Sequence, residues 1–253
     1  MMEMLASPEF WIGLAKIIGI NIVLSGDNAV VIALAARSLP PKQQKMAIFW
    51  GAGAAVVLRI ILTVFAVKLL ALEWLKIIGS LLLFWIGVKL LIPEDGDADI
   101  DASDNMMAAI RTILIADLVM SLDTVIGVAA AAGGNLTLLI LGLLISIPLV
   151  VFGATLLVHL MERFPAIITI GAGLIGWVAG EMLVTDPALE GWLTGLGMKF
   201  VGGKPMLGEL GVELLAAAVG AAIVVGLGKW LAGRSERHDA ARPVASETNR
   251  EGK

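Results

Sequence analysis

The sequence contains no cysteine, which excludes disulfides, thiolate metal ligands, iron–sulfur clusters and a cysteine nucleophile. Only two histidines are present, so any metal held by this chain must be held by oxygen or by those two rings. Charge is also scarce: Asp, Glu, Lys and Arg make up 16% of the residues, and the formal net charge is -4. The basic residues are scattered or gathered in the tail after Lys229, which excludes a nucleic-acid partner. A basic start is missing as well. Met1 to Phe10 carries two charged side chains, Glu3 and Glu9, both acidic, and the first apolar run extends from Trp11 past Ala35, too long for the core of a cleaved signal peptide. That run is expected to be a retained first span.

What the sequence does contain is apolar residues, 58% of the chain, with a mean hydropathy of +0.93. They come in long runs separated by short segments of Pro, Gly and charged residues, the pattern of bilayer spans. Runs long enough to cross about 30 Å of hydrocarbon with ~20 helical residues lie near Phe10 to Ala36, Met46 to Leu70, Trp74 to Ile92, Met106 to Ala132, Leu136 to Leu160, Pro165 to Val184 and Leu210 to Leu231. Backbone polar groups in lipid must be satisfied within each segment, and runs of this length favour helices over barrel strands. The sequence therefore predicts an all-α membrane protein with seven transmembrane helices. The transporter domain would cover 1–231, and the polar stretch 232–253 would be a disordered cytoplasmic tail.

Orientation follows from Lys and Arg near the span ends. With the N-terminus outside, the inner face receives Arg37, Lys42, Lys45, Arg163, Arg234, Arg237 and Arg242, and the outer face chiefly Lys68, Lys76, Lys199 and Lys204. The positive-inside rule then places the C-terminus in the cytoplasm. The acidic linker 93–105 faces the cytoplasm too. Its run Asp95-Gly-Asp97-Ala-Asp99 opens like a calcium loop but has Ile100 and Met106 where that loop needs Gly and Glu, so it is expected to be a solvated linker.

The chain repeats itself. Leu24-Ser25-Gly26-Asp27-Asn28-Ala29-Val30 aligns with Met120-Ser121-Leu122-Asp123-Thr124-Val125-Ile126, and upstream Asn21 falls on Asp117. Downstream, Gly79, Trp85 and Lys89 fall on Gly171, Trp177 and Glu181. An odd number of spans separates the copies, so the halves enter the membrane from opposite sides, as in secondary transporters with a site near the midplane. The fold class is thus two inverted three-helix repeats, 10–92 and 106–184, plus one additional C-terminal helix at 210–231.

Asp27, Asp117 and Asp123 sit well inside apolar runs, where a carboxylate costs at least about 2.5 kcal/mol. The functional explanation is a buried cation site; the bland one is neutral carboxyls or helix-to-helix hydrogen bonds. Asn21 and Asp27, like Asp117 and Asp123, are six positions apart, which in an unbroken helix separates them by about 9 Å of rise and roughly 120°. Gly26 weakens the helix and Ser25 can bond backbone carbonyls, so a break before Asp27 would gather these groups; Leu122 makes a second break less expected, and two tiers of ligands is the fallback. Oxygens of Asp27, Asn28, Asn21, Asp117 and Asp123, supported by Ser25, Ser121 and Thr124, form a hard set suited to Mn, Mg or Ca. Three carboxylates exceed the charge of one divalent ion, which makes cation/proton exchange a natural coupling. Arg59, deep in the second span, could neutralise one of the acids.

The doubled segments Asn21-Ile-Val-Leu-Ser-Gly-Asp27-Asn28 and Asp117-Leu-Val-Met-Ser-Leu-Asp123-Thr124 resemble the two signature motifs of the TerC family of bacterial integral membrane proteins, particularly its YjbE-type branch. The resemblance covers the first six spans. It implies a place in the LysE-like transporter group, a multi-pass inner-membrane location and manganese efflux, with the motif acids as ion ligands. Asn21 stands where the second copy has an acid. No permanently bound cofactor is expected; the transported ion would be Mn2+, with Ca2+ and Mg2+ as alternatives. The partners are then a divalent ion and the lipid bilayer, and the oligomeric state stays open, with a homodimer among the options.

Two other functions compete. An intramembrane aspartyl protease could use two Asp sharing a proton, and a non-transporting assembly or metal-resistance factor would tolerate loss of the acids altogether. The recurrence of the acids with amide and hydroxyl neighbours favours ion ligation, so no enzymatic activity is expected.

Overall fold

The computed structural model describes residues 8–24, 26–70, 72–92, 102–132, 135–201, 204–207 and 210–240. Among them are nine helices and a small sheet. In chain order the helices are α1 (Pro8–Leu24), α2 (Gly26–Ala36), α3 (Pro41–Leu70), α4 (Leu75–Lys89), α5 (Ala102–Ala132), α6 (Leu136–Arg163), α7 (Ala166–Val184), α8 (Pro187–Gly195) and α9 (Val212–Ala240). Strands β1 (Lys199–Val201), β2 (Lys204–Leu207) and β3 (Leu210–Gly211) lie between α8 and α9 and form an antiparallel meander, with Val201 opposite Lys204 and Leu207 opposite Leu210.

Local chemistry sets several helix starts. Pro41 opens α3, where its fixed φ suits the first turn and its missing N–H is no loss. The Asn135 side chain accepts from the Leu138 N–H at 3.1 Å and caps α6. Asp186 caps α8 and is followed by Pro187 at its first position. Helix α6 runs unbroken through Pro148.

Among the described residues, five helices are long and apolar enough to cross a membrane: Pro41–Phe65, Asn105–Leu122, Thr137–Arg163, Ala166–Val184 and Val212–Arg234. The first and third expected spans are not among these. The run from Phe10 to Ala36 consists of the shorter helices α1 and α2 on either side of Ser25, a residue outside the described ones, as is any break there. The third is the 15-residue α4, about 22 Å long at 1.5 Å per residue. At the other end, α9 continues past Leu231 to Ala240, so the end of the last apolar run is not the end of its helix. The acidic run 95–99 and residues 241–253 lie outside the described residues.

Helix α2 is the centre of the bundle. Asn28, Ala29 and Val31 to Ala36 are all buried, packed with residues of α3 to α7 that include Ala47, Leu83, Ile113, Ala116, Val158 and Ile175. A second cluster of Phe10, Leu14, Ile17, Val56, Leu139 and Leu143 joins α1, α3 and α6. The periphery is also apolar: Phe152 is 69% exposed, and Trp50, Phe65, Ile170 and Trp230 are exposed as well. Such a surface suits lipid rather than water.

Glycine permits two kinds of close approach. A Cβ on Gly79 of α4 would lie 2.7 Å from Val119 of α5, and one on Gly171 of α7 would lie 2.7 Å from Val30 of α2. The seam between α7 and α9 is tighter: a Cβ on Gly176 would lie 2.6 Å from the Gly220 carbonyl oxygen, and one on Gly180 would run into the Ala216 backbone. Without a hydrophobic drive between helices in lipid, this close fit is what attaches α9.

Candidate functional site: a buried polar ring

Asp117 is the sixteenth of the 31 residues of α5, near the middle of a helix about 46 Å long. The residue is only 5% exposed, so its carboxylate needs partners from the protein. Its Oδ1 accepts from Arg59 Nη2 of α3 at 2.7 Å and from Asn28 Nδ2 of α2 at 3.0 Å. Its Oδ2 accepts from the Ser121 hydroxyl at 3.1 Å. Ser121 Oγ in turn accepts from Arg59 Nε at 3.0 Å, which closes a ring of Arg59, Ser121 and Asp117 with Asn28 attached.

Sequence spacing explains part of this ring. Asp117 and Ser121 are four apart on one helix face. Arg59 and Asn28 reach them from the neighbouring helices, and both are 3% exposed. Asp27 sits beside the ring in the first turn of α2. Its Oδ1 accepts the Asn28 backbone N–H at 2.8 Å, and it lies within Coulombic reach of Arg59 and Asp117. The preceding Gly26 is exposed, and a Cβ on it would meet nothing within 4 Å among the described residues.

One atom of the cluster is unsatisfied. Asn28 Oδ1 is buried and has no hydrogen-bond partner among the described residues, a state that costs a neutral carbonyl about 1–3 kcal/mol. A cation would satisfy it. Among the described residues no group of three or more His, Cys, Asp or Glu is placed to hold a metal, so a ligand set built from them must include amide or hydroxyl oxygen.

The structure thus brings together Asp27, Asn28, Asp117, Ser121 and Arg59. It does not bring in Thr124, whose hydroxyl donates to the Ser121 carbonyl at 3.3 Å within α5. Asn21 lies on α1 and Asp123 on α5, but their side chains, like Ser25 altogether, are outside the described residues. Of the weaker sequence signals, the Lys89 ammonium lies 5.6 Å from the Trp85 ring centroid. The exposed His159 bonds its own helix through Nδ1 to the Thr155 carbonyl at 2.8 Å.

Sequence reasoning missed Asp186, which is fully buried. Its two oxygens accept the N–H groups of Trp74, Lys76, Ile77 and Ala188 at 2.8–3.2 Å. The Asp-Pro start of α8 was a legible signal for the last of these. The other three, which anchor the start of α4 beside Trp74 at φ 71°, have no local sequence cue.

The model of the TerC family of integral membrane proteins matches residues 6–235. YjbE, an uncharacterized membrane protein of Bacillus subtilis (strain 168), is 44% identical over 182 residues, which cover 72% of this chain and 84% of YjbE. YceF of the same organism is 26% identical over 190 residues, covering 71% of this chain and 74% of YceF. The inner membrane protein YoaE of Escherichia coli (strain K12) is 24% identical over 189 residues, 67% of this chain but 36% of the longer YoaE. No solved structure matches. With a family model covering most of its length, a bundle of apolar helices and a lipid-suited surface, the chain belongs to the TerC family of integral membrane proteins.

Proposed function

We propose that the chain is a bacterial inner-membrane exporter of a hard divalent cation, manganese first, with calcium and magnesium as alternatives. The observation that carries this is the buried Asn28 side-chain oxygen, which has no hydrogen-bond partner among the described residues, on the residue that follows Asp27, with its amide held at the centre of the bundle by an arginine-paired acid on a different helix. A carboxylate and a neutral oxygen in need of a partner on consecutive residues would give a partial shell for an ion that keeps some of its water. Asp123 is assigned to the same shell by the sequence repeat, whereas Asp117 serves as counter-ion to Arg59. The site is read as a transport site, not a catalytic one: a protease dyad needs two carboxyls sharing a proton, and Asp117 is bound to an arginine instead.

The transporter architecture we propose has seven spans in two inverted repeats, with α1 and α2 together forming the first span and α4 the third. The pattern of helix contacts supports it. Exchanging the first span with the fourth, the second with the fifth and the third with the sixth turns the packing of α1 and α2 on α6 into that of α5 on α3, and α4 on α5 into α7 on α2; all of these pairs pack together. The N-terminus is placed outside and the C-terminus in the cytoplasm, from the distribution of Lys and Arg.

The test is Mn2+ flux into and out of proteoliposomes. Wild type should transport, and Asp27→Asn and Asp123→Asn should each lower flux to the level of empty vesicles, a loss of about a hundredfold or more if a charged ligand is removed from a low-dielectric site. Equal flux from all three proteins would end the proposal. Collapse of the pH gradient should reduce wild-type flux if protons are the coupling ion.

A further inference from the structure

The orientation of one amide defines this site, and the Arg59 ring sets that orientation. Arginine is a permanent cation, and its partner Asp117 accepts hydrogen bonds through both oxygens. A carboxylate in that role can bond only the NH2 end of an asparagine, because the other end is itself an acceptor. The Asn28 amide is therefore turned by chemistry, not by choice between two equivalent fits. Its NH2 faces Asp117, and its oxygen is buried with no hydrogen-bond partner among the described residues. The reversed amide would aim two donors at an arriving cation and repel it.

We infer that Arg59, Asp117 and Ser121 act through Asn28, as positioning residues that aim the Asn28 carbonyl oxygen at the transported cation beside Asp27. This rests on the cation-transport reading and assigns Asp117 a place outside the ion's coordination shell. Arg59, Asn28 and Ser121 take three of the roughly four acceptor sites of the Asp117 carboxylate, at 2.7–3.1 Å, and the charge of Arg59 at 2.7 Å opposes the approach of a cation to it. The ring also sets the charge of the site. Arg59 pairs with Asp117 at 2.7 Å, which leaves the Asp27 carboxylate and the neutral Asn28 oxygen as the described ligands. A site of that strength can bind an ion and still release it, as transport requires.

The test is a double-mutant cycle on Mn2+ affinity, measured on the purified full-length protein in nanodiscs by electron paramagnetic resonance of free Mn2+. Asn28→Ala and Asp117→Asn should each weaken Kd about tenfold, the worth of one hydrogen-bond-scale interaction. If Asp117 acts through the amide, Asn28→Ala combined with Asp117→Asn should bind no more weakly than either single variant. Losses that multiply to about a hundredfold in the double variant would make Asp117 a ligand in its own right and overturn the inference. Wild-type affinity in Asp117→Asn would overturn it too. Should Asp117→Asn fail to run as a monodisperse species, the charge-neutral pair Arg59→Gln with Asp117→Asn takes its place in the same cycle. Asp27→Asn separates the two levels of the argument: if it binds Mn2+ like wild type, the cation site itself is wrong, whereas loss of binding there with multiplying losses in the cycle rejects only the positioning role.

Discussion

Asp117 and Asp186 are both buried carboxylates, one in the middle of α5 and the other where α7 gives way to α8. Their partners differ in kind. Asp186 is satisfied by four main-chain N–H groups that belong to helix starts, and these cannot move without unwinding α4 or α8. Asp117 is satisfied by three side chains from three helices, each of which can turn about its own bonds. The first arrangement fastens architecture; the second can be rearranged by a ligand. Burial of an acid alone therefore says little about function, while the identity of its partners says much.

The sharpest way to break this comparison is to remove the counter-ion. Arg59→Met should lower stability by about 4 kcal/mol, since it leaves a buried carboxylate uncompensated. Adding Asp117→Leu should recover most of that loss, because both charges are then gone. Thermal unfolding in micelles reads both effects, and no recovery in the pair would mean that the ring is as rigidly required as Asp186. Asp186→Ala comes next, at about 3 kcal/mol for the loss of acceptors at two helix starts. It should leave the Mn2+ affinity of the folded protein unchanged; altered affinity with unchanged stability would move Asp186 into the functional class.

The smallest effect concerns a third acid system, at the water-exposed end of the bundle. Lys204 of β2 bonds Glu213 at 2.8 Å and lies 3.7 Å from Glu181. Its hydrogen bond to Glu213 is the main cause holding its ammonium above the usual lysine value of 10.5, with the charges of both acids adding to it. A raised lysine stabilises the fold below that ordinary value, and the contribution disappears as pH climbs through the higher folded value. With the Lys204 side chain 51% exposed, solvent keeps the contribution below about 1 kcal/mol. Lys204→Met should unfold slightly earlier than wild type at pH 8, with the gap closing as pH climbs through the raised lysine value; a gap that widens with pH would contradict the pairing.

How much of this could be foreseen varies by residue. The apolar runs and their helices were legible because lipid requires each span to satisfy its own backbone. The run from Trp74 to Ile92 was longer than the helix it forms, since the backbone at Trp74 is held in a left-handed turn by Asp186, more than a hundred positions away. At the site, Asp27, Asn28, Asp117 and Ser121 were legible as polar groups inside apolar runs. The role of Arg59 was open from sequence alone, because a deep arginine has many possible counter-ions until packing selects one.

By itself the sequence determined the solvent and the cast: lipid as the medium, helices as the form, and, with no cysteine, oxygen groups inside the apolar runs as the candidate ligands. Only the tertiary structure decided who faces whom. Asn28 meets Asp117 across 89 positions and Arg59 meets it across 58, and the end of the Asn28 amide left without a partner follows from those meetings. The physical reason is one of range. Hydropathy and helix formation depend on neighbours a few residues away, whereas a hydrogen bond between helices depends on how each has rotated and settled against the others.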